Sequence, residues 1–551
     1  MNTDRLKPML FSVIKKYNAG MFAKDVVSGI IVAIIALPLS IALALASGVG
    51  PQEGIYTAIV AGFIISFLGG SRVQIAGPTA AFATIVAGIV AKNGMDGLVI
   101  ATIIAGILLV VMGFLRLGSL IKFIPYTITT GFTAGIALTI LIGQIKDFLG
   151  LTYPKGTATI ETIDKIKAIV KNIGSINTEA LIVGIVSLII LIVWPYIFDA
   201  IPGSLIAVIV GILMVKFMNM DVNTIGDLYK ISSKLPVPHV PHMTFSTIKS
   251  VFSDGVTIAI LAAIESLLSC VVADGMINSH HRSNMELIAQ GFGNIGSALF
   301  GGIPATGAIA RTAANIKNGG RTPIAGMIHS IVLVLVLVVL MPYAALIPMP
   351  TIAAILFIVA YNMCQWRTFS HLCKTAPKSD ITVLVLTFVL TVVFDLVVAI
   401  EIGMIVACVL FMKRMSDESE IKGWKYYDPD DDPDGIELKK VPKHVRVYEI
   451  TGPMFFGDAD QLAEVRVKDF TKVLVIRMRG VPALDVTAMH SMEQLYDKCV
   501  KYNIKLVFSH VNEQPMNTMR KCGFVEKVGE ENFREHIDDA LEWAEQFGNE
   551  K

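Results

Sequence analysis

The chain has 551 residues, 54% of them hydrophobic and 17% charged, where an ordinary soluble domain carries about a quarter charged residues, so a soluble enzyme is disfavoured from the outset. From Lys413 to Lys551 there are 21 basic and 27 acidic residues, which leaves 25 basic and 18 acidic in the first 412 positions. The net charge of +1 therefore conceals a basic, apolar body and an acidic, polar tail, and an acidic tail argues against nucleic acid as a partner.

Stretches free of Asp, Glu, Lys and Arg run over Val26–Gln52, Gly54–Ser71, Val73–Ala91, Gly97–Leu115 and Phe123–Ile145, and each approaches the ~20 residues that cross a bilayer. Further stretches cover Ala180–Phe198, Ala200–Val215, Leu287–Ala310 and Thr322–Trp366, the last offering Pro342, Pro348 and Pro350 as break points. With an interrupted stretch over Gly255–Ala273, a short helix near Gly307–Ile316 and a pair within Ile381–Met412, the body reads as about fourteen membrane segments. Basic residues such as Lys15, Lys16, Arg72, Arg116, Arg282, Lys317 and Lys374 fall in alternate short loops, which places both termini on the cytoplasmic side. The 146–178 connection is an exception, but long loops are weak guides. Ala44-Leu45-Ala46 resembles a processing site but follows an apolar run too long for a cleavable signal.

Two motifs resemble each other. Gly69–Ala81 contains Gly77-Pro78-Thr79, Gly301–Arg311 contains Pro304-Ala305-Thr306-Gly307, and each reads as a short extended piece entering a helix. Their prolines lie 226 positions apart, an offset that also carries Leu39 onto Glu265 and suggests two structural halves. Paired Gly/Pro-interrupted segments in two halves point to a midplane binding site at which half-helix N-termini face an anion. Close helix packing is the plainer reading of either motif taken alone. Glu265, an acid within an apolar stretch, is costly unless paired, protonated or wet, so it can carry a proton, help hold a cation, or pair with Arg311 as a strut. Arg311 can balance an anion, pair with Glu265 or snorkel to the surface.

His280 and His281 beside Arg282 read as a solvated turn, and six cysteines without Cys-x-x-Cys spacing give no metal or disulfide framework, so no cofactor is expected. After Arg414 comes a polar linker whose Asp428–Gly435 run lacks EF-hand spacing. Beyond it, strand-like runs at Val445–Ile450, Val473–Ile476 and Lys505–Phe508 alternate with helical patterns at Ala459–Lys468, Thr487–Lys501, Pro515–Lys521 and Arg534–Phe547, which is an α/β domain. Thr487 is placed to cap the helix it opens, and phosphorylation there would be electrostatically welcome.

Gly54-Ile55-Tyr56, the run Gly69–Ala81, Glu265-Ser266-Leu267 and Gly301–Arg311 followed by Asn315-Ile316-Lys317 resemble the sulfate permease (SulP/SLC26) family of anion transporters, and the tail with Asp485-Val486-Thr487 resembles its STAS domain. The resemblance implies a polytopic α-helical membrane protein of about 14 segments in two inverted seven-helix repeats, with core and gate domains and a cytoplasmic α/β STAS domain. The division is then a cytoplasmic N-terminal segment (1–23), a transmembrane transport domain (24–415), a linker (416–437) and the STAS domain (438–551). Carried over residue by residue, the anion site takes Leu39, Ser40 and Leu43 of segment one, Thr79 and Ala80 at the start of segment three, and Thr306, Gly307 and Ala308 at the start of segment ten, with Glu265 for ion coupling and Arg311 for charge balance. Leu39 departs from the Gln found there in many eukaryotic sulfate and chloride carriers, which weakens a direct assignment of sulfate. The resemblance implies secondary active, elevator-like transport of a small inorganic anion coupled to H+, a homodimer, and residence in the cell membrane. Na+ coupling, with bicarbonate or a C4-dicarboxylate as substrate, is the alternative within the fold. A membrane-anchored sensor or scaffold signalling to a cytoplasmic protein partner through the tail is the alternative outside it, and a channel is a third.

Overall fold

The computed structural model describes residues 6–119, 125–154, 157, 161–198, 202–241, 244–394, 396–417, 420–423, 441–442, 444–455 and 471–549. The chain divides into two compact units, residues 1–404 and 405–551.

The first unit is built on helices α1 (Ala19–Ala46), α2 (Pro51–Leu68), α3 (Ala83–Phe114), α4 (Tyr126–Leu149), α5 (Thr178–Ile197), α6 (Gly203–Met218), α7 (Phe245–Ile277), α8 (Ser283–Leu299), α9 (Ile309–Lys317), α10 (Pro323–Ala344), α11 (Met349–Cys364) and α12 (Lys378–Val393), and α13 (Leu396–Asp417) runs on into the second unit. Eight helical stretches are long and apolar enough to cross a bilayer by length and composition. The long α3 is two segments, because Gly94 at φ 68°, ψ −172° leaves the helical region, a backbone state open to glycine and strained for other residues. Counting it twice, these thirteen labelled helices make fourteen segments, seven on each side of the loop between α6 and α7. Helix ends carry the expected signals: Asn18 Oδ1 accepts from Met21 N at 2.9 Å at the start of α1, the Thr244 side chain caps α7, and Pro323 opens α10 behind a Thr322 cap.

Packing sorts these helices into two groups. The first two helices, α3 and α7–α10 pack on one another, while α4–α6, α11 and α12 form the other set, with α1 touching both. This matches the expected core and gate. Between Thr322 and Trp366 the break falls at Pro348, whereas Pro342 is accommodated inside α10 near its end. The 146–178 connection contains an amphipathic helix, Thr162–Lys171, that the apolar-run reading did not register because its apolar face is only half of it.

The second unit holds a five-stranded sheet of β3 (Glu420–Gly423), β4 (Val445–Thr451), β5 (Val473–Gly480), β6 (Lys505–Ser509) and β7 (Phe533–Arg534), in that spatial order, parallel except that β3 runs antiparallel to β4. Alternation fills both faces. Leu474, Ile476, Leu506 and Phe508 pack with α14 (Val486–Lys501), α15 (Glu513–Lys521) and α16 (Phe524–Val528), and Val445, Val473, Val475 and Val507 pack with α17 (Ile537–Asn549). Three expectations change. Glu420–Gly423, read as linker, is an edge strand too short and polar to announce itself, and Arg534, read as the start of a helix, lies in β7. Asp485, not Thr487, caps α14, its Oδ1 accepting from Ala488 N at 2.8 Å, so Thr487 sits exposed in the first turn. The expected helix Ala459–Lys468 and the Asp428–Gly435 run lie outside the described residues.

Candidate functional site

Between the two halves of the helical unit, strands β1 (Ala76–Gly77) and β2 (Thr306–Gly307) pair antiparallel, Ala76 opposite Gly307 and Gly77 opposite Thr306. Extended backbone at membrane depth has no water to satisfy it, and side chains take over that task. Ile75 N donates to Thr312 Oγ1 at 3.0 Å, Asn315 Nδ2 donates to Val73 O at 2.7 Å, and Gly307 N donates to Ser266 Oγ at 3.1 Å. Asn294 grips Ala305 from both sides, accepting from its N–H at 2.8 Å and donating to its carbonyl at 2.9 Å. Buried Glu286 accepts from Gly70 N at 2.8 Å and Ser71 N at 3.1 Å, which pins the entry to the first motif. At Gly307 a Cβ would lie 1.4 Å from Gln74 Nε2, so only glycine lets that amide reach across to Ser266 O.

Each strand runs straight into a helix start. Thr79 is extended at φ −127°, ψ 159° before the turn Ala80–Phe82 leads into α3, and Ala308 precedes α9. Neither start has a side-chain cap, so the first N–H groups of both lack a side-chain acceptor. Thr79 uses its hydroxyl elsewhere: Thr79 Oγ1 and Thr306 Oγ1 both donate to the same oxygen, Oε2 of Glu265, at 3.0 Å each. The carboxylate of α7 thus sits at the crossing, held by one hydroxyl from each half.

Arg311 lies one turn into α9 and is 2% exposed. Its Nη2 donates to Ser40 Oγ at 3.3 Å and to Pro78 O at 3.2 Å, tying α9 to α1 and to the first motif. Its polar contacts are to those groups and not to Glu265, so the strut reading of the pair has no contact behind it. Nor does Arg311 snorkel: it is buried in the middle of the polar crossing.

The structure therefore brings Thr79, Thr306 and Glu265 into one hydrogen-bonded set, attaches Gly307 through Ser266 and Ser40 through Arg311, and leaves Ala80 and Ala308 at the two helix starts. Leu39, Thr79, Glu265 and Ala308 are half-buried while Ser40, Leu43, Ala80, Thr306 and Gly307 are buried, so part of the crossing stays accessible. Leu39 and Leu43 bring only apolar surface to it. Thr487 belongs to the other unit. The prolines that suggested the repeat are not equivalent: Pro78 follows β1 whereas Pro304 precedes β2, and the strands start 230 positions apart rather than 226. His281, expected in solvent, donates its N–H to Asp274 Oδ2 at 2.7 Å and brings its ring nitrogen to 2.8 Å from the same oxygen. Sequence reasoning missed Gln74, Ser266, Asn294 and Thr312, although each is a polar residue inside or beside an apolar run and carried that signal.

Comparison with known proteins agrees with this architecture. The Sulfate permease family matches residues 22–387 and the STAS domain family matches residues 436–540. The chain is 38% identical to YvdB of Bacillus subtilis (strain 168), provisionally named a sulfate transporter, over 95% of this chain and 98% of that one. It is 32% identical to the bicarbonate transporter BicA of Picosynechococcus sp. over 86% of each. In structure it resembles the murine Slc26a9 anion transporter in its inward-facing state, with a TM-score of 0.87 at 19% identity, covering 98% of this chain and 94% of that one. It also resembles the transmembrane domain of a cyanobacterial BicA, with a TM-score of 0.62 at 28% identity, covering 71% and 98%. With the motifs, the fourteen segments and the appended sheet domain in place, the chain belongs to the sulfate permease family of membrane transporters and carries a C-terminal STAS domain.

Proposed function

We propose that this protein is a secondary active transporter of a small inorganic anion, a sulfate-type permease, coupled to protons through Glu265. The observation that carries the reading is the shared oxygen: the hydroxyls of Thr79 and Thr306, which stand at the two helix starts suited to an anion, are both spent on one carboxylate. A negative Glu265 competes with a negative substrate for the same donors. A proton on Glu265, or a cation beside it, removes the competition, so uptake of the cation and binding of the anion favour each other. Arg311 supplies the fixed positive charge behind Pro78 and Ser40.

Two packing groups that meet chiefly through α1 and the start of α3 support elevator-like alternating access, the group with the strands moving against the group of α4–α6, α11 and α12. The basic residues of alternate loops support a cell-membrane protein with both termini cytoplasmic. Regulation through Thr487 is supported by its exposure in the first turn of α14, where a phosphate would face the positive helix end. The second reading is sodium-coupled bicarbonate transport; its anion is supported by the 32% identical BicA relative, and its coupling ion is the alternative that the family resemblance implied. Uptake of labelled sulfate, bicarbonate and fumarate into proteoliposomes under separate proton and sodium gradients decides between them. Sulfate accumulation driven by protons is the expected result, bicarbonate accumulation driven by sodium moves the assignment to the second reading, and gradient-independent flux of all three overturns coupling altogether.

A further inference from the structure

Helix α10 carries a polar residue that the anion site as described does not use. His329 is fully buried, and neither of its ring nitrogens has a hydrogen-bond partner among the described residues. Burying a polar group unpaired is costly, and an imidazole is an odd filling for a helix made mostly of apolar residues. Among the other buried polar atoms that share that condition are Ser66 Oγ of α2 and Nη1 of Arg311.

The packing draws the three together. Gly326 precedes His329 by one turn on the same face of α10, and a Cβ there would lie 2.2 Å from Ser66 Oγ. Ser330, the neighbour of His329, donates to Ala58 O at 3.3 Å. The Cα of Ala58 is 3.7 Å from where a Cβ on Gly77 would stand, and that same point is 2.4 Å from Arg311 Nη1. Gly77 and Ala58 are thus the thin partition between the guanidinium and the α2–α10 seam, and Arg311 is the charged group within electrostatic reach of the ring. The other charged groups on the elements packed there are used at a distance: Asp25 of α1 accepts from Tyr17 Oη at 3.0 Å and Arg321 N at 3.1 Å at the start of α10, and Glu53 lies at the far end of α2.

We infer that His329 is a positioning residue for the anion site, acting through Arg311. Nη2 is held by Ser40 and Pro78, while Nη1 has a donor to spare and His329 has an acceptor to spare. The guanidinium then has two resting places, one on Ser40 and Pro78 and one on the imidazole, and its balance between them sets how strongly it favours the anion. Glycine at position 77 leaves the space beside Nη1 free of a side chain. This rests on the proposed role of Arg311 in neutralising the anion.

The test is a double-mutant cycle in proteoliposomes on the full chain, using whichever of labelled sulfate, bicarbonate or fumarate the parent takes up. His329→Leu raises the KM for that anion roughly tenfold with little change in maximal rate, and His329→Gln, whose amide oxygen can accept, recovers most of the loss. In an Arg311→Gln background His329→Leu adds nothing further, which a merely structural role would not produce. A parental KM in His329→Leu, or its full effect persisting without Arg311, overturns the inference while leaving the role of Arg311 standing. A parental KM in Arg311→Gln overturns that role itself. Should His329→Leu fail to insert, His329→Asn, with an amide too short to reach, stands in its place against His329→Gln.

Discussion

The two halves of the membrane unit meet at one pair of strands, yet they bring different chemistry to it. From the first half come β1, Pro78, Thr79 and the helix start at Ala80, with Leu39, Ser40 and Leu43 of α1 alongside, all of them uncharged. The second half repeats the backbone plan with β2, Ala308 and the start of α9, and adds Glu265 from α7 and Arg311 from α9. The duplicated part is the frame, a short strand leading into a helix start in each half. The charges that would give the site a sign and a coupling ion come from one side only. A repeat can therefore supply an anion-sized cradle by symmetry while leaving transport energetics to unpaired substitutions.

That asymmetry can be broken most severely at Arg311. Arg311→Gln removes the fixed cation and its bonds to Ser40 and Pro78, and the KM for the anion rises roughly ten- to a hundredfold, read from initial uptake rates. Arg311→Lys recovers only part, because a single ammonium cannot span both acceptors. Next in size is the frame itself. Gly307→Ala drives a Cβ into the Gln74 amide, costs about 1–3 kcal/mol and lowers both folded yield and transport, whereas Gly88→Ala, with nothing within 4 Å of the added carbon, leaves both unchanged. Adding Gln74→Ala to Gly307→Ala restores folded protein if the clash is the cause.

Smaller effects come from the hydroxyls. Thr79→Val and Thr306→Val each delete one of two equivalent donors to Glu265, and each shifts the pH at half-maximal uptake upward by a similar amount, less than either charge substitution does to KM. Unequal shifts would show that the two halves do not share the carboxylate evenly.

The smallest effect lies in the sheet domain, away from the membrane. Burial and the neighbouring His536, Arg477 and Arg479 hold His510 below the ordinary histidine range. The unfolded chain then binds more protons than the folded one as pH falls through about 6.5, so the domain loses stability as pH drops through that region. His510→Asn keeps a residue tolerant of the left-handed φ of 53° and flattens this acid limb, measured as the change in Tm between pH 7.5 and 5.5.

What the sequence could disclose follows the range of the interactions involved. The apolar runs report directly on membrane segments, because the bilayer selects for composition over ~20 residues. Glycine and proline near Pro78 and Pro304 likewise reported two extended pieces entering helices. The pairing of Ala76 with Gly307 joins residues more than two hundred positions apart, and no local pattern encodes it. The proline offset misplaced the repeat because each half uses its proline on a different side of its strand. Glu265 stood out as an acid among apolar residues, but only the fold shows that it takes its hydrogen bonds from Thr79 and Thr306 and not from Arg311. His329 passed unnoticed because one histidine in an apolar helix carries no spacing signal.

The central claim is that the oxygen shared by Thr79 and Thr306 links anion binding to a cation. Glu265→Gln keeps a group that accepts both hydroxyls but cannot titrate. Vesicles loaded with unlabelled anion should show that variant exchanging labelled anion at close to the parental rate, while a pH gradient no longer drives accumulation above equilibrium. Accumulation at the parental level in Glu265→Gln would contradict the account.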